Sequence, residues 1–146
     1  MASFRVYLDT DGLLDLVTPE GTPDRAHLAI VGKALADGTL RFVTSELTIV
    51  ESLVHAVRSN NSSRESLLRG FLSPSAFLES RPVSLQVIED ALVLRVVHGF
   101  KTPDAIHIAT GISASCDAYL TKDTKWARPG LRLLNVEELV GLCGDV

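Results

Sequence analysis

Four carboxylates stand at positions where they could take part in catalysis. Asp9 directly follows the apolar run FRVYL, and Asp123 comes shortly after the apolar run AYLT. Glu51 and Asp104 lie in segments with the apolar spacing of helices, each with an apolar side chain one turn away on its own face. A carboxylate beside an apolar stripe is costly to bury unless it has a partner. The shared surroundings suggest that the four acids act together.

Each acid, taken singly, also has a structural explanation. Asp9 and Asp123 fit turns after strands, and Asp104 fits the first turn of a helix, where the helix dipole favours negative charge. Brought together they would repel, because two carboxylates about 4 Å apart cost about 4 kcal/mol at an effective dielectric constant of about 20. A bound cation would remove that repulsion. Ligands that are all oxygen suit Mg²⁺ or Mn²⁺, which can lower the pKa of bound water and neutralise a phosphate.

The elements that must position these acids alternate along the chain. Short apolar runs predict strands, and helical apolar spacing with capping and stop signals predicts helices. The predicted strands are 4–8, 40–44, 81–85, 118–121 and 131–136. The predicted helices are 23–38, starting at Pro23; 45–58, capped by Ser45; 64–72; 85–98, ending at Gly99; and 102–115, capped by Thr102 with Pro103 in the first helical position.

This alternation predicts an α/β fold, a three-layer α/β/α sandwich with a central, mainly parallel sheet. A length of 146 residues suits one domain, and we assign residues 1–146 to it. In such sheets, ligands bind outside the carboxyl ends of the strands. Because Asp9 and Asp123 both follow strands, we expect both at that edge.

Composition narrows the class of protein further. Hydrophobic residues make up 46% of the chain and charged residues 22%, which is typical of a globular protein. A net charge of -4 argues against broad nonspecific binding to nucleic acid, but not against a nuclease whose acidic site is neutralised by a cation. Cys116 and Cys143 form neither a disulfide framework nor a metal-spaced pair, which indicates thiols in a reducing compartment. With no signal-peptide pattern and no bilayer-length apolar run, we expect a cytoplasmic protein without membrane contact.

Four stretches resemble the motifs of the PIN-domain ribonucleases, in particular the compact VapC-type toxins of toxin–antitoxin pairs. They are VYLDT, TSELTIVES, TPDAIHIATG and CDAYLTKDTKW, and they extend from residue 6 to about residue 126. The resemblance implies endonucleolytic cleavage of single-stranded RNA by a metal-activated water. Thr10 and Thr121, beside the acids, could be polar support for them or ordinary threonines at strand ends. The resemblance also implies a homodimer that is inhibited by a small antitoxin covering the acidic groove. The metal ligands and catalytic residues that it implies are Asp9, Glu51, Asp104 and Asp123.

The sequence departs from the family pattern at two positions. Asp11 stands where the family more often has an uncharged polar residue, and it could assist through water or cap the following segment. Lys125 stands where an acid is common before the aromatic residue, here Trp126. This change argues against a broader metal site and could favour contact with a phosphate.

Two other readings of the same residues remain open. The opening string also resembles the first motif of the haloacid dehalogenase-type phosphatases, in which Asp9 would be the nucleophile and Asp11 the acid. That match breaks at Leu13, where the motif requires Thr or Val. A PIN-like fold without activity, acting as a binding module, is the second alternative, although a dead site has no physical reason to retain repelling acids.

Residues near the acidic motifs have weaker signals. His107 lies one turn from Asp104, so it could line the site, but a core or surface histidine fits the spacing better. The polar turn SNNSS, 59–63, and the helices beside it could contribute to partner contacts. Basic side chains near the acidic motifs could meet an RNA backbone or form a solvated face; they are Lys101, Lys122, Lys125 and Arg128.

Overall fold

The computed structural model of the chain describes residues 3–18 and 24–144. The strands in this part are β1 (Phe4–Leu8), β2 (Leu40–Ser45), β3 (Leu78–Arg81), β4 (Ala118–Leu120) and β5 (Leu133–Leu134). The helices are α1 (Thr10–Val17), α2 (Arg25–Ala36), α3 (Leu47–Arg58), α4 (Ser62–Leu72), α5 (Leu85–His98), α6 (Thr102–Ser113) and α7 (Val136–Gly144), and a 3-10 turn covers Thr124–Ala127.

The five strands form one sheet in the order β3-β2-β1-β4-β5, and every neighbouring pair is parallel. β1 is central, with Tyr7 opposite Val43 of β2 and opposite Tyr119 of β4. Because all strands run in the same direction, their carboxyl ends meet at one edge. This arrangement confirms the predicted fold class.

Helices cover both faces of the sheet and bury two apolar clusters. Side chains alternate along β1, so Val6 and Leu8 pack on one face and Tyr7 packs on the other. The first face is covered mainly by α1, α2 and α7, and the second mainly by α5 and α6. No helix in the described part of the chain is both long and apolar enough to cross a membrane.

The predicted third strand, 81–85, is wrong. The strand is Leu78–Arg81, which overlaps the predicted range only at Arg81, and it pairs with β2. Pro82 ends it because proline has no backbone N–H to donate to a ladder. Ser84 then caps α5, accepting a hydrogen bond from the backbone N–H of Val87 at 3.2 Å.

Two predicted helix caps also differ from the structure. Thr102 is the first helical residue of α6 and Lys101 is the capping position, while the Thr102 hydroxyl accepts a hydrogen bond from Arg95. Ser45 ends β2, and α3 begins two residues later, although the Ser45 hydroxyl still accepts from the Leu47 N–H at 3.1 Å. Competing side-chain partners and continued strand pairing explain both differences.

Other differences concern two helices that were not predicted and the ends of two predicted elements. Helices α1 and α7 were not predicted, because they are only 8 and 9 residues long and α1 begins only two residues after a strand. α2 is capped by Asp24, which accepts from the backbone N–H of His27 at 2.9 Å. The proposed start at Pro23 lies outside the described residues. The last strand is shorter than predicted because Val136 already begins α7.

Candidate active site

Asp9 is fixed at the point where β1 passes into α1. It caps α1, and its Oδ1 accepts a hydrogen bond from the backbone N–H of Gly12 at 2.6 Å. Its Oδ2 accepts a second bond from the hydroxyl of Thr121 at 2.6 Å. Burial from water raises the pKa of Asp9 to about 6, although both hydrogen bonds act to lower it. The structure thus holds an acid that resists ionisation beside the sheet edge.

The absence of a side chain at Gly12 permits this arrangement. A Cβ atom there would lie 2.2 Å from the carbonyl oxygen of Leu120 and 3.0 Å from Oδ1 of Asp9. Helix α1 therefore packs against the backbone of β4 at a distance that only glycine allows. This contact brings Asp9 within reach of Thr121.

Glu51 projects from α3 and is held by two hydrogen bonds. The hydroxyl of Thr10 donates to Oε1 at 2.7 Å, and Nε2 of His107 lies 2.6 Å from the same oxygen. Burial raises the pKa of Glu51, but the hydrogen bonds from His107 and Thr10 outweigh it, and the pKa is lowered overall. Within residues 3–18 and 24–144, both bonds end on Oε1 and none is found on Oε2. Oε2 is therefore the atom through which Glu51 could bind a ligand.

His107 lines the site, an option that the sequence left open while it favoured a core or surface histidine. Its side chain is 4% exposed, and its Nδ1 lies 2.7 Å from the hydroxyl of Tyr7. The indole ring of Trp126 stacks on its imidazole with centroids 6.1 Å apart. Its spacing of three residues from Asp104 places it on the same helix face, which is the signal that could have indicated its role.

Asp104 and Asp123 lie close enough to influence each other's charge. Asp104 is the third residue of α6 and is half-buried. Burial raises the pKa of Asp104, and the negative charges of Asp123 and then Glu51 raise it further, while His107 and Lys125 act in the opposite direction. The structure therefore brings three of the four predicted acids, including Glu51, into electrostatic contact.

Asp123 follows β4 and caps the 3-10 turn. Its Oδ1 accepts from the backbone N–H of Lys125 at 3.0 Å, and its own N–H donates to the hydroxyl of Thr121 at 3.1 Å. Thr121 thereby joins Asp123 to Asp9. The four acids stand where the ends of β1 and β4 meet the starts of α1 and α6 and one face of α3.

The chemistry of these donors fits a hard divalent cation. All four side chains offer carboxylate oxygens, and the repulsion felt by Asp104 is the kind that a cation relieves. In residues 3–18 and 24–144, no three side chains of His, Cys, Asp or Glu are close enough to enclose a metal ion. Such a loose arrangement of carboxylates suits Mg²⁺, which keeps several water ligands and uses few carboxylates.

The other polar residues near the motifs have simpler positions. Asp11 is exposed in the first turn of α1 and does not cap it, since Asp9 does. Lys122 forms an ion pair with Asp15 at 2.9 Å. Lys125 is exposed, and its charge counters that of Asp104.

Comparison with known proteins agrees with this geometry. The family model of the PIN domain matches residues 6–130. The chain belongs to the PIN domain family, a family of nucleases, and not to the haloacid dehalogenase-type phosphatases that share its opening string. A search of the curated proteins gave no significant match.

Solved structures share the fold. A toxin–antitoxin complex from Klebsiella pneumoniae is 24% identical with a TM-score of 0.64, and the match covers 90% of this chain and 97% of that one. VapBC2 from Rickettsia felis, bound to a DNA fragment from its promoter, is 18% identical with a TM-score of 0.70, covering 90% and 98%. The toxin VapC20 from Mycobacterium tuberculosis, which cleaves the sarcin–ricin loop, is 16% identical with a TM-score of 0.61, covering 86% and 95%.

Proposed function

We propose that this protein is a Mg²⁺- or Mn²⁺-dependent endoribonuclease and the toxin of a toxin–antitoxin pair. The observation that carries the proposal is the meeting of Asp9, Glu51, Asp104 and Asp123 at the carboxyl edge of the sheet in a PIN domain. Carboxylates that repel one another are stabilised when a cation binds between them.

The four acids would line the site of the metal ion, which would be held by some of their carboxylates and by water, and the surrounding side chains would orient the acids. When bound, the ion supplies a water of lowered pKa and neutralises charge on a phosphodiester. Thr121 orients Asp9 and Asp123, and Thr10 orients Glu51. Lys125, whose positive charge acts on Asp104, would offer that charge to a phosphate bound at the acids.

RNA is the substrate that we propose. The acidic balance of the chain, with a net charge of -4, favours binding through a metal and a few lysines over binding through a broad basic face. A structural relative, VapC20 from Mycobacterium tuberculosis, is described as a toxin that cleaves the sarcin–ricin loop. We propose that this chain acts on the same class of polymer.

A homodimer is the assembly that we propose, with α5 at its interface. Six apolar side chains of α5 are between 43% and 77% exposed: Leu85, Ile88, Leu92, Val93, Val96 and Val97. Monomeric proteins seldom leave a contiguous apolar patch of more than a few hundred Å² in water. One helix face that carries its own apolar stripe can pair with its copy across a two-fold axis.

A small antitoxin is the second protein partner that we propose. Val50, next to Glu51 on α3, is 67% exposed, and Val57 and Leu67 are exposed on α3 and α4. A peptide with apolar side chains could contact these residues and cover the acidic cleft. A cytoplasmic location, expected from the unpaired thiols of Cys116 and Cys143, belongs to the same proposal.

Cleavage of RNA in the presence of Mg²⁺ or Mn²⁺ tests the proposed activity. Structured and unstructured RNA pools would be incubated with the wild-type protein, with EDTA and with an Asp104→Asn variant. The matched control is Asp37→Asn at the end of α2, an exposed carboxylate that accepts hydrogen bonds from Thr39 and belongs neither to the acidic site nor to α5. We expect cleavage by the wild type and by the control, and none with EDTA or with Asp104→Asn.

The remaining outcomes distinguish the alternatives. Cleavage that persists in EDTA would contradict metal dependence. A protein that binds RNA without cleaving any pool, with or without metal, would favour the inactive binding module. Cleavage of DNA in preference to RNA would retain the nuclease and overturn the substrate.

A further inference from the structure

We infer that Tyr7 and His107 are positioning residues that hold Glu51 so that its Oε2 faces the metal ion. The inference rests on the proposed function, because it concerns how one proposed ligand is presented. Tyr7, His107 and Glu51 form a continuous hydrogen-bonded line, with successive distances of 2.7 and 2.6 Å. The line runs from the central strand of the sheet to one of the four acids.

The direction of the hydrogen bonds follows from the chemistry of the partners. An ionised carboxylate only accepts hydrogen bonds, so Nε2 of His107 carries the proton that is donated to Glu51. In a neutral imidazole the other nitrogen is then an acceptor, and it receives the phenolic O–H of Tyr7. Tyr7 therefore fixes both the tautomer and the ring orientation of His107.

The bonds tie Glu51 to the elements that carry the other acids. Thr10, its second donor, directly follows Asp9 at the start of α1. His107 lies one turn beyond Asp104 on α6. A glutamate has three rotatable side-chain bonds, and at this half-buried position of α3 it would otherwise sample several rotamers. Two donors on Oε1 select one orientation and leave Oε2 for the ion.

The surroundings of His107 hold the imidazole rigidly. Tyr7 is fully buried in the central strand β1. Trp126, in the 3-10 turn after β4, stacks on the imidazole ring of His107. Mutation of a residue that hydrogen-bonds to a metal ligand typically weakens metal binding by about 10- to 100-fold. A core histidine without this role would affect folding alone.

Calorimetric titration with Mn²⁺ tests the inference directly and does not depend on nuclease activity. We expect His107→Leu to weaken Mn²⁺ binding by about 10- to 100-fold and Tyr7→Phe by about 3- to 10-fold. His107→Gln, which keeps an N–H donor, should recover part of the affinity. Circular dichroism and thermal unfolding would confirm that each variant is folded.

Tyr119→Phe is the matched control. Tyr119 lies beside Tyr7 with ring centroids 5.7 Å apart, and its hydroxyl is buried without a hydrogen-bond partner among the described residues. Tyr119→Phe removes a hydroxyl from the same apolar cluster as Tyr7→Phe does, but it leaves the hydrogen bonds from Tyr7 through His107 to Glu51 intact. We expect the Mn²⁺ affinity of this variant to equal that of the wild type.

A double-mutant cycle separates positioning from a general effect on the fold. In a Glu51→Gln background, which lacks the charged ligand, His107→Leu should cause no further loss of Mn²⁺ affinity. Two outcomes would overturn the inference while leaving the proposed function intact. One is that His107→Leu lowers the Mn²⁺ affinity as much in the Glu51→Gln background as in the wild type. The other is that folded His107→Leu and Tyr7→Phe variants bind Mn²⁺ with wild-type affinity. If the wild-type protein itself binds no Mn²⁺, both the proposed metal site and the inference are overturned.

Discussion

Thr121 donates a hydrogen bond of 2.6 Å to Oδ2 of Asp9, although 112 positions separate the two residues in the sequence. The same hydroxyl oxygen accepts a bond from the backbone N–H of Asp123 at 3.1 Å. One threonine thus joins the first acidic motif to the last. The bond crosses from β1 to the end of the adjacent strand β4, so parallel pairing of these strands is what makes it possible.

Removing the Thr121 hydroxyl should weaken this junction. We expect Thr121→Val to lower the free energy of unfolding by about 1.5–3 kcal/mol, because a buried bond to a charged group is lost. The pKa of Asp9 should rise above its value of about 6, since a bond that favours the ionised form disappears. Urea unfolding at several pH values measures both effects. Thr121→Ser, which keeps the hydroxyl, is the control, and an equal loss in both variants would contradict this account.

The raised pKa of Asp9 predicts a pH dependence of stability in the metal-free protein. The folded protein holds the proton up to about pH 6, whereas the ordinary value is 3.8, so unfolding releases a proton between these limits. Raising the pH through this window therefore lowers the free energy of unfolding. Relative to Asp9→Asn, the wild type should lose about 2 kcal/mol between pH 4.5 and pH 7.5.

Urea unfolding of both proteins in EDTA measures this difference. The amide side chain of the Asp9→Asn variant would keep an oxygen that accepts from Gly12 and would carry no charge to desolvate. We therefore expect Asp9→Asn to be at least as stable as the wild type at pH 7.5 and to gain no stability from Mn²⁺. If the free energies of unfolding of the two proteins change equally with pH, burial of the Asp9 carboxylate does not destabilise the fold as proposed.

The sequence predicts the general fold because local signals and the global architecture agree. Strands β1, β2 and β4 are short apolar runs, and α5 matches its predicted bounds of 85–98 at both ends. A serine cap at Ser84 and glycine at Gly99 in a left-handed conformation mark the limits of that helix. Where such signals are weak, as for β3 before Pro82, the position of the element depends on its pairing with β2 instead.

The site is only partly readable from the sequence. Motif spacing leads to Asp9, Glu51, Asp104 and Asp123, and the structure places these acids at one edge, while their role as metal ligands stays a prediction. The line from Tyr7 to Glu51 was not predicted, because its members are 44 and 56 positions away from Glu51 in the chain and meet only through tertiary packing. A tyrosine within a strand has no local feature that indicates such a contact, and the only local signal for the histidine is its spacing of three residues from Asp104.

The close approach of α1 to β4 predicts that Gly12 tolerates no side chain. We expect Gly12→Ala to lower the free energy of unfolding by at least about 2 kcal/mol, because its Cβ would lie 2.2 Å from the Leu120 carbonyl oxygen and force the helix to move. Displacement of Asp9 should also weaken Mn²⁺ binding. Thermal and urea unfolding, together with Mn²⁺ titration, measure these effects.

Gly70 provides the control for that substitution. It lies in α4, it is exposed, and a Cβ there would meet nothing within 4 Å. Gly70→Ala should therefore stabilise the protein by about 0.5–1 kcal/mol through helix propensity. Destabilisation of similar size at both positions would contradict the role of the α1–β4 contact.

The exposed apolar face of α5 predicts how the oligomeric state will respond to charge. Leu92 is 58% exposed in the single chain, so Leu92→Lys should leave the folded protomer stable but place two lysines at the two-fold contact and raise the dimer dissociation constant by about 100-fold or more. Sedimentation equilibrium over a range of concentrations measures that constant. Val50→Lys on α3, which is 67% exposed, is the matched control and should remain dimeric. A monomeric wild type, or a dimer that Val50→Lys disrupts and Leu92→Lys does not, would contradict the assignment of α5 as the interface.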